Sequence, residues 1–177
     1  MGTYRGATTR FIFKNASEGA KLYSFDIPND IGKAHTLDRT KLINLEDRKL
    51  EDEFCRDFFP RSDRVSQVYA DLMQVDWKYI RELPKPDFVF IDAYHSYEAC
   101  LRDTKNIISW VSDEAMVVWH DTSWKKFVFS ENNYGVHSSI VHGTSPEAVS
   151  YTFRIKDTTL MVRSKAHGAL FGRNLVA

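Results

Sequence analysis

Residues 86–121 read PDFVFIDAYHSYEACLRDTKNIISWVSDEAMVVWHD, and the fold class is read outward from them. Phe88–Ile91 (FVFI) and Met116–Trp119 (MVVW) are short, β-branched or aromatic, and apolar on both faces, which predicts strands covered by helices on each side. The wider strand-like spans run over Asp87–Asp92 and Ala115–His120. Between them, Tyr97–Trp110 places Cys100 or Leu101, Thr104, Ile107 and Ile108 at helical spacing, with Arg102, Asp103 and Lys105 on the opposite face. Ser96 stands where a helix N-cap belongs. Strand, helix, strand at this length is a βαβ unit, so the two apolar runs are expected as parallel neighbours.

The same alternation extends outward. Lys21–Asp26 and Val65–Tyr69 read as further strands, Ala7–Asn15 as a short helix, and Glu46–Phe59 as a helix whose Leu50, Phe54 and Phe58 recur at four-residue spacing until Pro60 ends it. Residues 29–44 give no clear pattern. Near the end, Ser150–Ile155 and Thr159–Arg163 are strand-like and joined by Lys156, Asp157 and Thr158, a hairpin spacing that predicts an antiparallel pair. The fold class that follows is α/β: a Rossmann-like three-layer sandwich with a mostly parallel sheet that ends in an antiparallel β-hairpin. One domain over residues 1–165 and a C-terminal tail over residues 166–177 complete the expectation.

Composition narrows the function. With 24 Lys plus Arg against 24 Asp plus Glu, the formal net charge is zero, which removes the long-range attraction a dedicated nucleic-acid or anionic-membrane binder would use. Trp124, Phe127, Phe129 and Tyr134 cluster, but only Lys125 and Lys126 lie beside them, too little for a stacking groove on nucleic acid. They read as a core or pocket wall. The two cysteines, Cys55 and Cys100, form neither a disulfide framework nor a CxxC pair, and no apolar run reaches the ~20 residues that span a bilayer. A cytoplasmic protein without a membrane partner is the expectation, and a homo-oligomer stays open.

Chemistry concentrates at the strand ends. Asp92 and His95 follow one apolar strand, His120 and Asp121 the other, and the C-terminal ends of parallel neighbours converge on one crevice. Carboxylates with imidazole suit a divalent cation or general-base work near neutral pH. At the start, GTYRGATT (Gly2–Thr9) spaces two glycines directly before a helix, where backbone N–H groups can meet an anionic ligand. Asp26 closes the next strand about 20 residues on, where an acid can accept ribose hydroxyls. Asp71 follows the Val65–Tyr69 strand at the same sheet edge. A turn at the glycines and a capping role for Asp26 are the plainer alternatives.

GTYRGATT, YSFDIP, DFVFIDAYHSYEACLRD and VVWHD together resemble the class I S-adenosylmethionine-dependent methyltransferases, in particular a small-molecule O-methyltransferase branch with an FID…HSYE…HD signature. The resemblance runs from Gly2 to about Arg163. It implies that Gly2, Thr3, Tyr4 and Gly6 line the methionine part of S-adenosylmethionine, that Asp26 holds its ribose, and that Ala70 and Asp71 flank its adenine, with Asp92 also at the cofactor. In metal-dependent relatives resembling catechol O-methyltransferase, an acid at the Asp92 position and an acidic pair at the fifth strand hold Mg²⁺. Here that pair reads His120, Asp121, so the implied metal set is Asp92, His120 and Asp121, and the implied catalytic set is Asp92, His95 and His120. The acceptor implied is a small hydroxylated molecule, a sugar or secondary metabolite. Family members also carry a strand before the glycine loop, at the centre of the sheet. Only Met1 precedes Gly2 here, so a gap in the sheet is expected, and a methyltransferase-like domain that binds or assembles without catalysing stays open as the alternative. A nicotinamide-dependent reductase fits less well, since Thr3, Tyr4 and Arg5 interrupt any GxGxxG.

Overall fold

The computed structural model describes residues 6–26, 43–44, 62–122 and 133–166. The helix expected over Glu46–Phe59, residues 2–4 of the glycine loop, Cys55, Trp124, Phe127, Phe129 and most of the C-terminal tail lie outside the described residues. The chain divides into two compact units, Met1–Ile80 and Arg81–Ala177.

In the first unit, helix α1 (Ala7–Asn15) starts at Gly6, whose φ of 77° is left-handed and suits a residue without Cβ. Strand β1 (Leu22–Asp26) pairs in parallel with β3 (Val65–Tyr69), and β2 (Ile43–Asn44) pairs antiparallel with β3's other side. The register sets Asp26 opposite Tyr69, and the Ala70 amide donates to the Asp26 carbonyl at 2.9 Å. Both strands therefore end together, with Asp26 and Ala70–Asp71 at one sheet edge. Phe25, Val68, Ala70, Leu72 and Val75 are buried there, and the Trp77 indole donates to the Leu72 carbonyl. Trp77 opens the short helix α2 (Trp77–Arg81).

In the second unit, β4 (Phe88–Ile91) and β5 (Met116–Trp119) are parallel neighbours, as the sequence predicts, joined by α3 (Tyr97–Trp110). Ser96 caps α3, its Oγ accepting from the Ala99 amide. Helices α4 (Asn133–Gly143) and α5 (Pro146–Val149) follow, then the hairpin β6 (Thr152–Arg154) and β7 (Met161–Arg163). β7 pairs antiparallel with β5, so the sheet order is β4-β5-β7-β6. Val117, Trp119, Ile107 and Ile140 are among its most buried side chains. Among the described residues, helix α3 and α4 pack face to face, and the Trp119 indole donates to Thr104 Oγ1 on α3 at 3.1 Å.

The architecture is α/β and Rossmann-like, with parallel pairs leading into a terminal antiparallel hairpin. One detail departs from expectation. The sequence places FVFI as a strand covered on both faces, but β4 ends its sheet order among the described strands and Phe88 is exposed. The described strands fall into two sheets, β1-β3-β2 and β4-β5-β7-β6.

Candidate functional site

The second unit gathers Asp92, His95, His120 and Asp121 into a closed ring, and the backbone explains why. The His120 amide donates to the Ile91 carbonyl at 3.0 Å, which finishes the β4–β5 ladder and sets the two strand ends level. Asp92 and His120 leave those ends side by side. Asp121 then adopts a left-handed φ of 55°, a conformation that Asp tolerates better than most residues. Thr122 anchors the turn, its amide and hydroxyl both donating to the Thr159 carbonyl at 2.9 Å. On the other side, His95 is held between Tyr94, whose carbonyl accepts from the Cys100 thiol, and Ser96, the cap of α3.

The ring alternates acid and imidazole. His95 Nε2 stands 3.4 Å from Asp92 Oδ1 and 3.1 Å from Asp121 Oδ2. His120 Nδ1 stands 3.2 Å from Asp92 Oδ1 and 3.2 Å from Asp121 Oδ1. All four side chains are partly buried. One ligand atom each from Asp92, His95 and Asp121 lies within 4.8 Å of the other two. The expectation sets His120 with the two acids for a metal and offers either His95 or His120 for proton transfer; the geometry brings both imidazoles to the same carboxylates.

Electrostatics follow from this packing. Burial pushes the Asp92 carboxyl up, but hydrogen bonds and charge from His95 and His120 outweigh it, and the group sits below its ordinary value. The hydrogen bond to Asp92 raises His95; burial opposes this, and the charges of Asp121 and Asp92 add to the rise. Each group favours the charged form of the other.

In the first unit, Gly6, Asp26, Ala70 and Asp71 are placed by the parallel β1–β3 pair and α1. Thr9 Oγ1 on α1 meets Ser24 Oγ on β1 at 3.3 Å, which seats the helix start against the strand that ends in Asp26. Asp71 is engaged locally: its Oδ1 accepts from the Met73 amide, and its carbonyl accepts from the Val75 amide.

Some supporting roles were not legible in the sequence. Thr104 is fully buried on α3 and takes the Trp119 indole hydrogen, tying the helix after His95 to the strand before His120. A threonine on the apolar face of an otherwise amphipathic helix is the only sequence signal for it. Tyr94, between Asp92 and His95 in the sequence, stands 69% exposed. No described helix is long and apolar enough to cross a membrane.

A family model described as a methyltransferase domain matches residues 1–122. Among solved structures, the chain is similar to a Klebsiella pneumoniae protein described as a candidate O-methyltransferase, with 13% identity and a TM-score of 0.56 over 91% of this chain and 69% of that one. It is also similar to the O-methyltransferase from Bacillus cereus in complex with SAH, with 14% identity and a TM-score of 0.55 over 93% of this chain and 71% of that one. At these identities the likeness is one of fold. No curated protein matches the sequence.

Proposed function

The chain belongs to the methyltransferase-domain family and has the class I, Rossmann-like fold of S-adenosylmethionine-dependent O-methyltransferases, and from that premise we propose that it methylates a hydroxyl of a small acceptor with the help of a divalent cation. The observation that carries the reading is the ring of Asp92, His95, His120 and Asp121 at the ends of two parallel strands.

The described residues fit a nucleoside cofactor. Asp26 closes β1 with its carbonyl fixed by the Ala70 amide, and Ala70 is buried beside it, so a carboxylate for ribose hydroxyls adjoins a small apolar surface that suits an adenine face. Gly6, left-handed at the start of α1, lets backbone approach the methionine part closely. Gly2, Thr3 and Tyr4 would extend that loop. Bound S-adenosylmethionine supplies an electrophilic methyl group on a sulfonium.

What the chain must add is alignment and a sink for the acceptor's proton. A hydroxyl is a weak nucleophile at neutral pH, and a positioned imidazole that takes its proton is worth about 10²–10⁴ in rate. His95 or His120 serves, each oriented by Asp92 and Asp121. A divalent cation on those carboxylates would supply a Lewis acid that lowers the hydroxyl's proton affinity. The acceptor is then a small molecule bearing a hydroxyl, of the sugar or secondary-metabolite kind, and Tyr94 offers it a stacking face.

Isothermal titration of the folded chain with S-adenosylmethionine and SAH tests the cofactor assignment. Saturable binding of both is expected. A sample with a cooperative melt that binds neither overturns it and favours the non-catalytic domain.

A further inference from the structure

The ring's geometry carries one step more, resting on the methyltransferase reading for its purpose but not for its chemistry. We propose that the ring selects a first-row divalent transition ion, of the Mn²⁺, Co²⁺ or Zn²⁺ class, over Mg²⁺, with His95 Nε2 as a direct ligand beside Asp92 Oδ1 and Asp121 Oδ2.

An imidazole nitrogen carries one hydrogen at most, and a linear hydrogen bond serves one acceptor. His95 Nε2 nevertheless lies between two carboxylates, at 3.4 and 3.1 Å, and His120 Nδ1 lies between the same two at 3.2 Å each. Asp92, His95 and Asp121 each bring one ligand atom within 4.8 Å of the other two. The separations suit a bound ion. Two ligands each about 2.1 Å from a metal stand about 3.0 Å apart at an octahedral edge and about 3.4 Å apart at a tetrahedral one. Both His95 distances fall between about those limits.

The donor types choose the ion. Mg²⁺ prefers oxygen, demands near-octahedral geometry and keeps several waters, typically on one or two carboxylates. Imidazole favours zinc, cobalt, iron and their neighbours, and mixed nitrogen and carboxylate sets with open positions belong to catalytic transition-metal sites. Three protein ligands leave positions for an acceptor oxygen, and with His95 on the metal, His120 remains for the acceptor's proton.

The full chain, stripped with EDTA, is titrated calorimetrically with MgCl₂, MnCl₂, CoCl₂ and ZnCl₂, and the Mn²⁺-loaded protein is examined by electron spin echo envelope modulation for ¹⁴N coupling. Mn²⁺, Co²⁺ and Zn²⁺ should bind at least about tenfold more tightly than Mg²⁺. Imidazole ¹⁴N modulation should appear in the wild type and vanish in His95→Gln, with its fold checked by circular dichroism. Equal or tighter Mg²⁺ binding, no ¹⁴N modulation, or no binding of any ion overturns the proposal, the last meaning a ring held by protons alone. Modulation kept in His95→Gln and lost in His120→Gln overturns the ligand assignment. If His95→Gln does not fold, the wild-type spectrum and the ion series decide. SAH titration separates this from the broader reading: SAH binding without ¹⁴N modulation removes only the metal site, and modulation without SAH binding removes only the methyltransferase function.

Discussion

Gly143→Ala should destabilise the second unit, although alanine is the better helix former. Gly143 ends α4, and a Cβ there would meet Thr104 Cγ2 at 2.6 Å and Thr104 Cβ at 2.9 Å. Carbon pairs rest at about 3.5–4.0 Å, so the overlap approaches 1 Å. Thr104 cannot step aside easily. It is fully buried, its β-branched side chain is stiff at χ1, and its hydroxyl takes the Trp119 indole hydrogen. Rotation would strand a buried donor at about 1–3 kcal/mol.

Overpacking of this kind costs about 1–3 kcal/mol, while replacing glycine in a helix returns at most about 0.5–1 kcal/mol and less at a terminus. A net loss of about 1–2 kcal/mol is expected, or roughly 2–8 °C in Tm for a chain of this size. Urea unfolding followed by circular dichroism should show a lower midpoint at an unchanged m value. Thr104→Ser removes Cγ2 and keeps the hydroxyl. In that background Gly143→Ala should lose much of its effect, a coupling of about 1 kcal/mol in a double-mutant cycle. Neutral or stabilising Gly143→Ala, or strict additivity with Thr104→Ser, would refute the close approach of α3 and α4.

Two further outcomes follow from the titrating groups. In metal-free protein, the His95 C2 proton should titrate by NMR above the ordinary value of 6.5, and Asp92→Asn should lower that midpoint. Because folding raises the His95 pKa, its contribution to stability is full below about 6.5 and is lost as pH rises through the folded value. Asp92 behaves oppositely: its contribution is present above its ordinary 3.8 and is lost as pH falls through the lowered folded value. Metal-free stability should therefore weaken on both sides of a mildly acidic range, and a flat profile between about pH 5 and 8 would count against the His95–Asp92 hydrogen bond. The Cys100 thiol, pushed up to about 12 by burial and then by the Asp103 charge, should resist a thiol reagent at pH 8 in a Cys55→Ser background and react fully in urea. Native and unfolded rates within tenfold of each other would contradict its burial.

Elements with local end signals were legible in the sequence. Helix α3 begins at Tyr97 because Ser96 caps it, and β3 spans Val65–Tyr69 as its residue pattern indicates. Helix α4 was not legible. Its sequence, NYGVHSSIVHG, carries two glycines among serines and β-branched residues, all weak helix formers. Its Val136 and Ile140, spaced at i and i+4, are buried in a helix that packs on α3, so tertiary packing overrides propensity. Helix α2 is a single short turn, and its Trp77 and Ile80 are too few to show a period.

The site divides along the same line. That Asp92, His95, His120 and Asp121 belong together follows from strand ends and a parallel pairing, both of which are written in residue pattern. How they meet depends on features with no periodic trace: the left-handed turn at Asp121, its anchoring through Thr122 to the hairpin, and the grip of Cys100 on the Tyr94 carbonyl. Those contacts decide that His95 faces both carboxylates and does not stand apart as a free base. The family signature thus points to the residues, and the turn chemistry around them sets how they meet. A substitution that spares all four ring residues but loosens the turn, such as Thr122→Val, which keeps the amide's bond to the Thr159 carbonyl and loses the hydroxyl's, should for that reason disturb the ring, read as a shift in the His95 C2-proton titration.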